Sequence, residues 1–269
     1  MGKVWAGPGE VFLLGSRGMP IRIAFDGQDL ASSEHVSVSF EDPSQEYWVL
    51  QHLVEPLCLL LGLRRGIAFV HASAFRLAGR AVLLGGWTRI GKTQVLLDLS
   101  SQIDGFLADD WTPIGHGLLW SFPMPMRLSR ANMESHPELA SRIRKRGEKE
   151  VIQPADIGLQ MVESCRPELV FILDRKAGRS LNIEPIPKDI LFERLASTLS
   201  FTIVHYLSPL YAASCLEDRS ARELGQMVFQ TSLAILRREL GEAEIYRVSA
   251  PITADAEISR QILGIAEGR

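Results

Sequence analysis

Gly86, Gly91, Lys92 and Thr93 stand in the order Gly-x-x-x-x-Gly-Lys-Thr within the stretch LLGGWTRIGKTQVLL. These residue types at this spacing suit the holding of a phosphate chain. Glycines let backbone N–H groups converge on phosphate oxygens with no side chain in the way. A lysine after the second glycine reaches the β and γ phosphates, and the next hydroxyl can ligate Mg2+. The expected ligands are therefore ATP and Mg2+, held by Gly86, Trp87, Thr88, Arg89, Ile90, Gly91, Lys92, Thr93 and Gln94. Trp87 is large for such a loop and Arg89 adds a cation. Trp87 reads as a structural plug or as a cover over the nucleotide, and Arg89 as solvent-exposed or as a further phosphate contact.

Two carboxylates follow, Asp109 and Asp110, at the end of GFLADD. An acid at the end of a strand beside a phosphate loop can hold the metal or accept a proton from a hydroxyl. Adjacent residues of a strand point to opposite faces, so both can serve one site only if the chain turns at Asp110. The charge that spreads over peripheral oxygens during phosphoryl transfer calls for a further cation. Arg127, just after a proline-rich turn, is the candidate, with Arg144 and Arg146 as alternatives.

Those residues need a scaffold that alternates strand and helix. AVLL reads as a strand feeding the glycine loop, GKTQVLLDLSSQ as a helix of about three turns, and GFLADD as a short strand, an α/β pattern. Upstream, VFLLG, PIRIAF and VSVSF read as an antiparallel meander. QEYWVLQHLVEPLCLLLGL reads as a helix bent near Pro56. GIAFVHASAFRLAG is a strand that carries His71. Further on, ELVFILDR, SLNIEPI and AEIYRVSA read as strands, and KDILFERLASTL and SARELGQMVFQTSLAILRREL as helices. The basic run Arg142, Arg144, Lys145 and Arg146 reads as a helix end or a loop with a solvated face. The expected division is a small β-rich region with a linking helix over 1–65 and a phosphate-loop core over 66–269.

Composition sets the outer limits. The chain has 269 residues, 46% of them hydrophobic, and a net charge of −3. That suits one sizeable core with a small extension and gives no basic surface for nucleic acid. The apolar run Leu53–Leu63 is too short to span a bilayer, and the first residues lack the apolar stretch of a signal peptide. The three cysteines, Cys58, Cys165 and Cys215, lie far apart and suit free thiols in a reducing cytoplasm.

The segment VHASAFRLAGRAVLLGGWTRIGKTQVLLDL, followed by GFLADD, resembles the catalytic domain of the HPr kinase/phosphorylase family. The family likewise has a histidine on a strand before the loop, a loop ending Gly-Lys-Ser/Thr, and a strand ending Ala-Asp-Asp. The match covers residues 67–112 and fades elsewhere. It implies a mixed-sheet fold like that of phosphoenolpyruvate carboxykinase and transfer of phosphate from ATP to a serine hydroxyl. It also implies that Asp109 is the general base, that Asp110 supports the metal beside Thr93, and that His71 sits by the transferred phosphate.

This chain departs from the family at Trp87, Arg89 and Gln94. LLWSFPMPMRLSR stands where the family carries a Glu-Ile-Arg-Gly run. HPr is therefore not implied as the acceptor. A serine in another peptide or protein is the leading expectation; a small alcohol, or a nucleotide-binding regulatory module with little transfer, are the alternatives. A homo-oligomer is compatible with any of them.

Overall fold

A computed structural model describes the chain except residues 1–3, 8–9, 15–19, 27–34, 42–48, 147–148, 176–179, 213–220 and 252–254. It divides into two compact units, residues 1–65 with 199–231, and residues 66–198 with 232–269. The core expected over 66–269 is thus interrupted, because 199–231 belongs with the N-terminal residues.

In the first unit, β1 (Val4–Gly7), β2 (Glu10–Leu14), β3 (Pro20–Phe25) and β4 (Val36–Phe40) pair in chain order as an antiparallel meander. Ile21 and Ile23, alternate residues of β3, are fully buried, as a strand with one core face requires. Leu50–Val54 form a π-helical turn that leads into α1 (Glu55–Arg64). The backbone stays helical through the junction, so Pro56 stands within the expected helix, just after its π-helical turn. The first part of the expected 45–63 helix, 45–48, lies outside the described residues, as does Cys215.

The second unit begins with β5 (Ala68–Val70), β6 (Ala72–Leu77) and β7 (Arg80–Gly85), then α2 (Lys92–Asp98) and β8 (Ile103–Ala108). Next come β9 (Thr112–Gly115), β10 (Leu118–Trp120), β11 (Met126–Leu128), α3 (Arg130–Ser135), β12 (Arg144–Arg146), β13 (Lys149–Ile152) and β14 (Ser164–Cys165). β15 (Leu169–Arg175) and β16 (Asn182–Pro185) follow. Two long helices follow, α4 (Lys188–Ala212) and α5 (Ala221–Glu239), each with residues in both units, and β17 (Glu244–Ala250) and α6 (Asp255–Ala266) come last.

The main sheet has the order β16-β17-β15-β7-β6-β8. β7, β15 and β17 are parallel, and β6 is antiparallel to both β7 and β8. β8 therefore runs in the same direction as β7. One edge of the sheet collects the C-terminal ends of β7, β8, β15 and β17 with the N-terminal end of β6. That is the edge at which open α/β sheets bind ligands. Phe75, Phe106 and Phe171 fill the core beneath it, with Leu84, Val95, Leu96 and Leu173. The continuous burial of Leu169 to Leu173 is what an apolar run inside a parallel sheet produces.

Three local expectations change. GIAFVHASAF is not one strand: it breaks at His71, with β5 joining the antiparallel sheet β14-β10-β9-β5 and β6 joining the main sheet. The helix after the glycine loop is shorter than three turns, because it stops at Asp98 and Ser100 already bonds back to Leu97 O. Of the basic run, Arg142 does end a helix, the 3-10 turn Pro137–Arg142, but the rest is neither helix nor loop. Arg144, Lys145 and Arg146 form β12, an edge strand of the sheet β11-β13-β12. The mixed α/β class is as the sequence implies.

Candidate active site

The phosphate-loop pattern leaves the end of β7 at Gly85 and closes at Gly91, which caps α2 with a left-handed φ of 105°. Gly86 has a φ of 149°, and a Cβ there would meet Ile90 Cγ2 at 2.9 Å and the Leu173 carbonyl at 3.1 Å. Gly86 is thus required by backbone shape and space, and Gly91 by backbone shape. No side chain caps the first turn of α2, where N–H groups have no intrahelical partner. Arg89 holds a φ of 63°.

Lys92 is buried and donates to the carbonyls of Gly86 at 3.0 Å and Trp87 at 3.2 Å. Its Nζ also lies 3.5 Å from His71 Nε2. Burial presses the ammonium below its ordinary pKa, while Asp110 and Asp109 pull the other way. A buried cation already compressed in this way gains from any anion brought alongside it.

Asp109 is buried and bonded at both oxygens. Ser73 Oγ donates to Oδ1 at 2.5 Å and Thr93 Oγ1 to Oδ2 at 3.0 Å. Burial and the neighbouring Asp110 push its carboxyl up; Ser73, Lys92 and Thr93 pull back. The chain then turns at Asp110, whose φ is 76°. The strand has ended at Ala108, so both carboxylates face the same place. Asp110 Oδ1 lies 3.3 Å from His71 Nε2, and Oδ2 lies 3.7 Å from Arg127 Nε. Burial alone would raise the Asp110 carboxyl. His71, Arg127 and Lys92 overcome it and hold the pKa at about 2. His71 is fixed in turn by Trp111, whose ring centre is 5.5 Å away.

His71, Lys92, Thr93, Asp109, Asp110 and Arg127 are therefore brought together. Arg127 comes from β11, where Met126 and Leu128 pack on the hydrophobic core and the alternate residue is left to reach Asp110. Other expected residues sit apart from this group. Trp87 is 61% exposed, and Thr88 and Arg89 are exposed too. Gln94 turns away: two positions along the helix from Lys92, it donates to Asp98 at 2.9 Å and accepts from Asn132 at 2.8 Å. Arg142 and Arg144 bond the carbonyl and carboxylate of Asp156.

Ser73 and Arg175 were not singled out by the sequence. Ser73 is two residues beyond His71, on the alternation that aims a strand residue at Asp109. Arg175 is the charged residue that closes the apolar strand LVFILDR at the same edge of the sheet, and it donates to Ile90 O at 3.0 Å. Both signals were present as strand position, but neither residue belongs to a motif.

The donor set suits Mg2+, a hard cation that takes few protein oxygens and keeps the rest of its shell for water and phosphate. Thr93 Oγ1 and the two aspartates are such oxygens, adjacent to Lys92. Among the described residues no group of three or more His, Cys, Asp and Glu forms a cage that would hold a metal alone. None of their helices is long and apolar enough to cross a membrane.

No protein-family model matches the chain, and no curated protein matches it. Among solved structures it is similar to the Hpr(Ser) kinase/phosphatase from Coxiella burnetii, at 11% sequence identity and a TM-score of 0.38. The similarity covers 74% of this chain and 88% of that one.

Proposed function

We propose that the chain is an ATP-dependent phosphotransferase that moves the γ-phosphoryl group onto a hydroxyl, that of a serine in a peptide or protein. The observation that carries this reading is the meeting of Lys92 with two unlike carboxylates at the end of a glycine loop. One acid is pushed toward proton acceptance, and the other is held ionised by cations. Environments that drive two acids apart assign two roles.

In this reading the loop from Gly86 to Thr93 and the Lys92 ammonium hold the phosphates. Thr93 and Asp110 hold Mg2+. The metal, when bound, neutralises charge on the phosphate oxygens. Asp109, the more basic of the pair, orients the acceptor hydroxyl and takes its proton. Asp110, at about 2, is too weak a base for that task and remains an anion. Arg127 and His71 keep Asp110 in place and add positive charge beside it. A second reading has its own observation: Thr93 donates directly to Asp109, which sets Asp109 against the metal-side hydroxyl. The two aspartates would then exchange roles.

The test is incubation with Mg2+, γ-labelled ATP and a library of serine-containing peptides, using the wild type and Lys92→Ala. Label enters peptide with the wild type and not with the variant. Label that appears only as inorganic phosphate, with none in any peptide, sinks the peptide-kinase reading.

A further inference from the structure

Arg175 ends β15 and lies behind the phosphate loop. Its Nε donates to the Ile90 carbonyl at 3.0 Å, and its Nη1 donates to the Pro251 carbonyl at 2.6 Å. Pro251 follows the last residue of β17, which pairs in register with Arg175 through Ala250. One guanidinium thus ties the glycine loop to the ends of two parallel strands. The planar fork of arginine can meet two carbonyls at once; the ammonium of lysine offers no such fixed pair.

The direction of the Ile90 carbonyl has a consequence for the next residue. The peptide joining Ile90 to Gly91 is trans, and in a trans peptide C=O and N–H point opposite ways. Holding Ile90 O toward Arg175 turns the Gly91 N–H to the other side of the loop. That N–H has no acceptor among the described residues. Lys92 meanwhile holds the Gly86 and Trp87 carbonyls. Two cations therefore fix three loop carbonyls, and Arg175 alone fixes the one that sets the Gly91 N–H.

We propose that Arg175 is the positioning residue of the phosphate loop, holding the Ile90 carbonyl back so that the Gly91 N–H faces the phosphate. This rests on the nucleotide reading above. Arg175 itself touches no reacting atom, so its loss weakens nucleotide binding more than it slows transfer.

The experiment is calorimetric titration of Mg·ATP into wild type, Arg175→Ala and Arg175→Lys, with melting temperature and saturated turnover measured alongside. Loss of hydrogen bonds from a charged donor predicts a Kd at least about ten-fold weaker in Arg175→Ala. Turnover at saturating ATP stays within about three-fold of wild type, the split expected when only uniform binding is lost. Arg175→Lys, keeping the charge and one donor, falls between the two. An Arg175→Ala protein that melts lower but binds Mg·ATP like wild type overturns the proposal. If Arg175→Ala does not fold, Arg175→Lys decides: wild-type affinity in a folded Arg175→Lys overturns it equally. A wild type that binds no Mg·ATP at all defeats the nucleotide reading first, without reference to any variant, and the loop role with it.

Discussion

Thr93 donates its hydroxyl directly to Asp109, 3.0 Å from Oγ1 to Oδ2, across the gap between the start of α2 and the end of β8. A hydroxyl that closes the glycine-loop pattern and a strand-end acid are thus in direct contact. Ser73 holds the other oxygen of the same carboxylate. Asp109 is therefore fixed in one orientation, while Asp110 is fixed by a different set of partners, His71 and Arg127.

That division gives the first prediction. With Asp109 as proton acceptor, Asp109→Asn keeps Mg·ATP affinity and loses transfer by about two to four powers of ten, the range of general acid–base groups. Asp110→Asn weakens Mg·ATP binding and leaves more of the saturated rate. Titration with Mg·ATP and single-turnover transfer separate the two effects. The opposite pattern, with Asp109→Asn losing affinity and keeping the saturated rate, assigns the metal to Asp109 and the proton to Asp110.

Much of this arrangement could be read from the sequence, for a physical reason. Lys92, Thr93 and the glycines lie within eight consecutive positions, so local chain geometry alone brings them together. The turn required at Asp110 was legible as a condition, because two neighbouring strand residues cannot share a face. The φ of 76° meets that condition. The break at His71 was not legible: Val70 and Ala72 are both apolar, and only sheet pairing divides them between β5 and β6. Gln94 reads as part of the loop pattern because it is adjacent in sequence. On a helix it lies more than half a turn from Lys92, and it joins Asp98 and Asn132 instead. The basic run carries no apolar alternation, so its strand is set by pairing with Lys149–Val151.

Asp110 supplies a pH prediction with a definite sign. An aspartate has an unfolded pKa of about 3.9, and His71, Arg127 and Lys92 bring this one to about 2 in the fold. A depressed carboxyl adds stability that is complete above the unfolded pKa and lost as pH falls through the folded one. Asp110→Asn removes that contribution. The melting-temperature gap between wild type and Asp110→Asn is constant above about pH 5 and narrows as pH falls from about 4 toward 2. Thermal melts across that window measure it. A gap that stays constant down to the lowest pH at which both proteins fold removes Asp110 as a paired carboxylate.

The last prediction concerns the acceptor. β12 is an edge strand that presents Arg144 and Lys145 exposed, and β11, on the other edge of the same small sheet, carries Arg127 at the site. Arg127 and Arg144 both pair with Val151, so they project from the same face of that sheet. Met126, Leu128 and Ile152 belong to the core side, on the face opposite the arginines, while Val151 between the two arginines is itself buried. Two arginines on one face, Arg127 beside Asp110 and Arg144 two strands away, suit an acidic peptide better than a neutral sugar. Asp156 occupies Arg144 and the backbone carbonyl beside it occupies Arg142, so part of this charge is already balanced. Replacing Arg142, Arg144, Lys145 and Arg146 together with Ser raises the acceptor KM and flattens its salt dependence, while basal ATP hydrolysis persists. The substituted side chains lie on an edge strand and a short turn, so stability changes little. Unchanged acceptor kinetics would make the run a solvated edge of the kind that keeps sheets from pairing with one another. The small-alcohol acceptor would then fit the chain better.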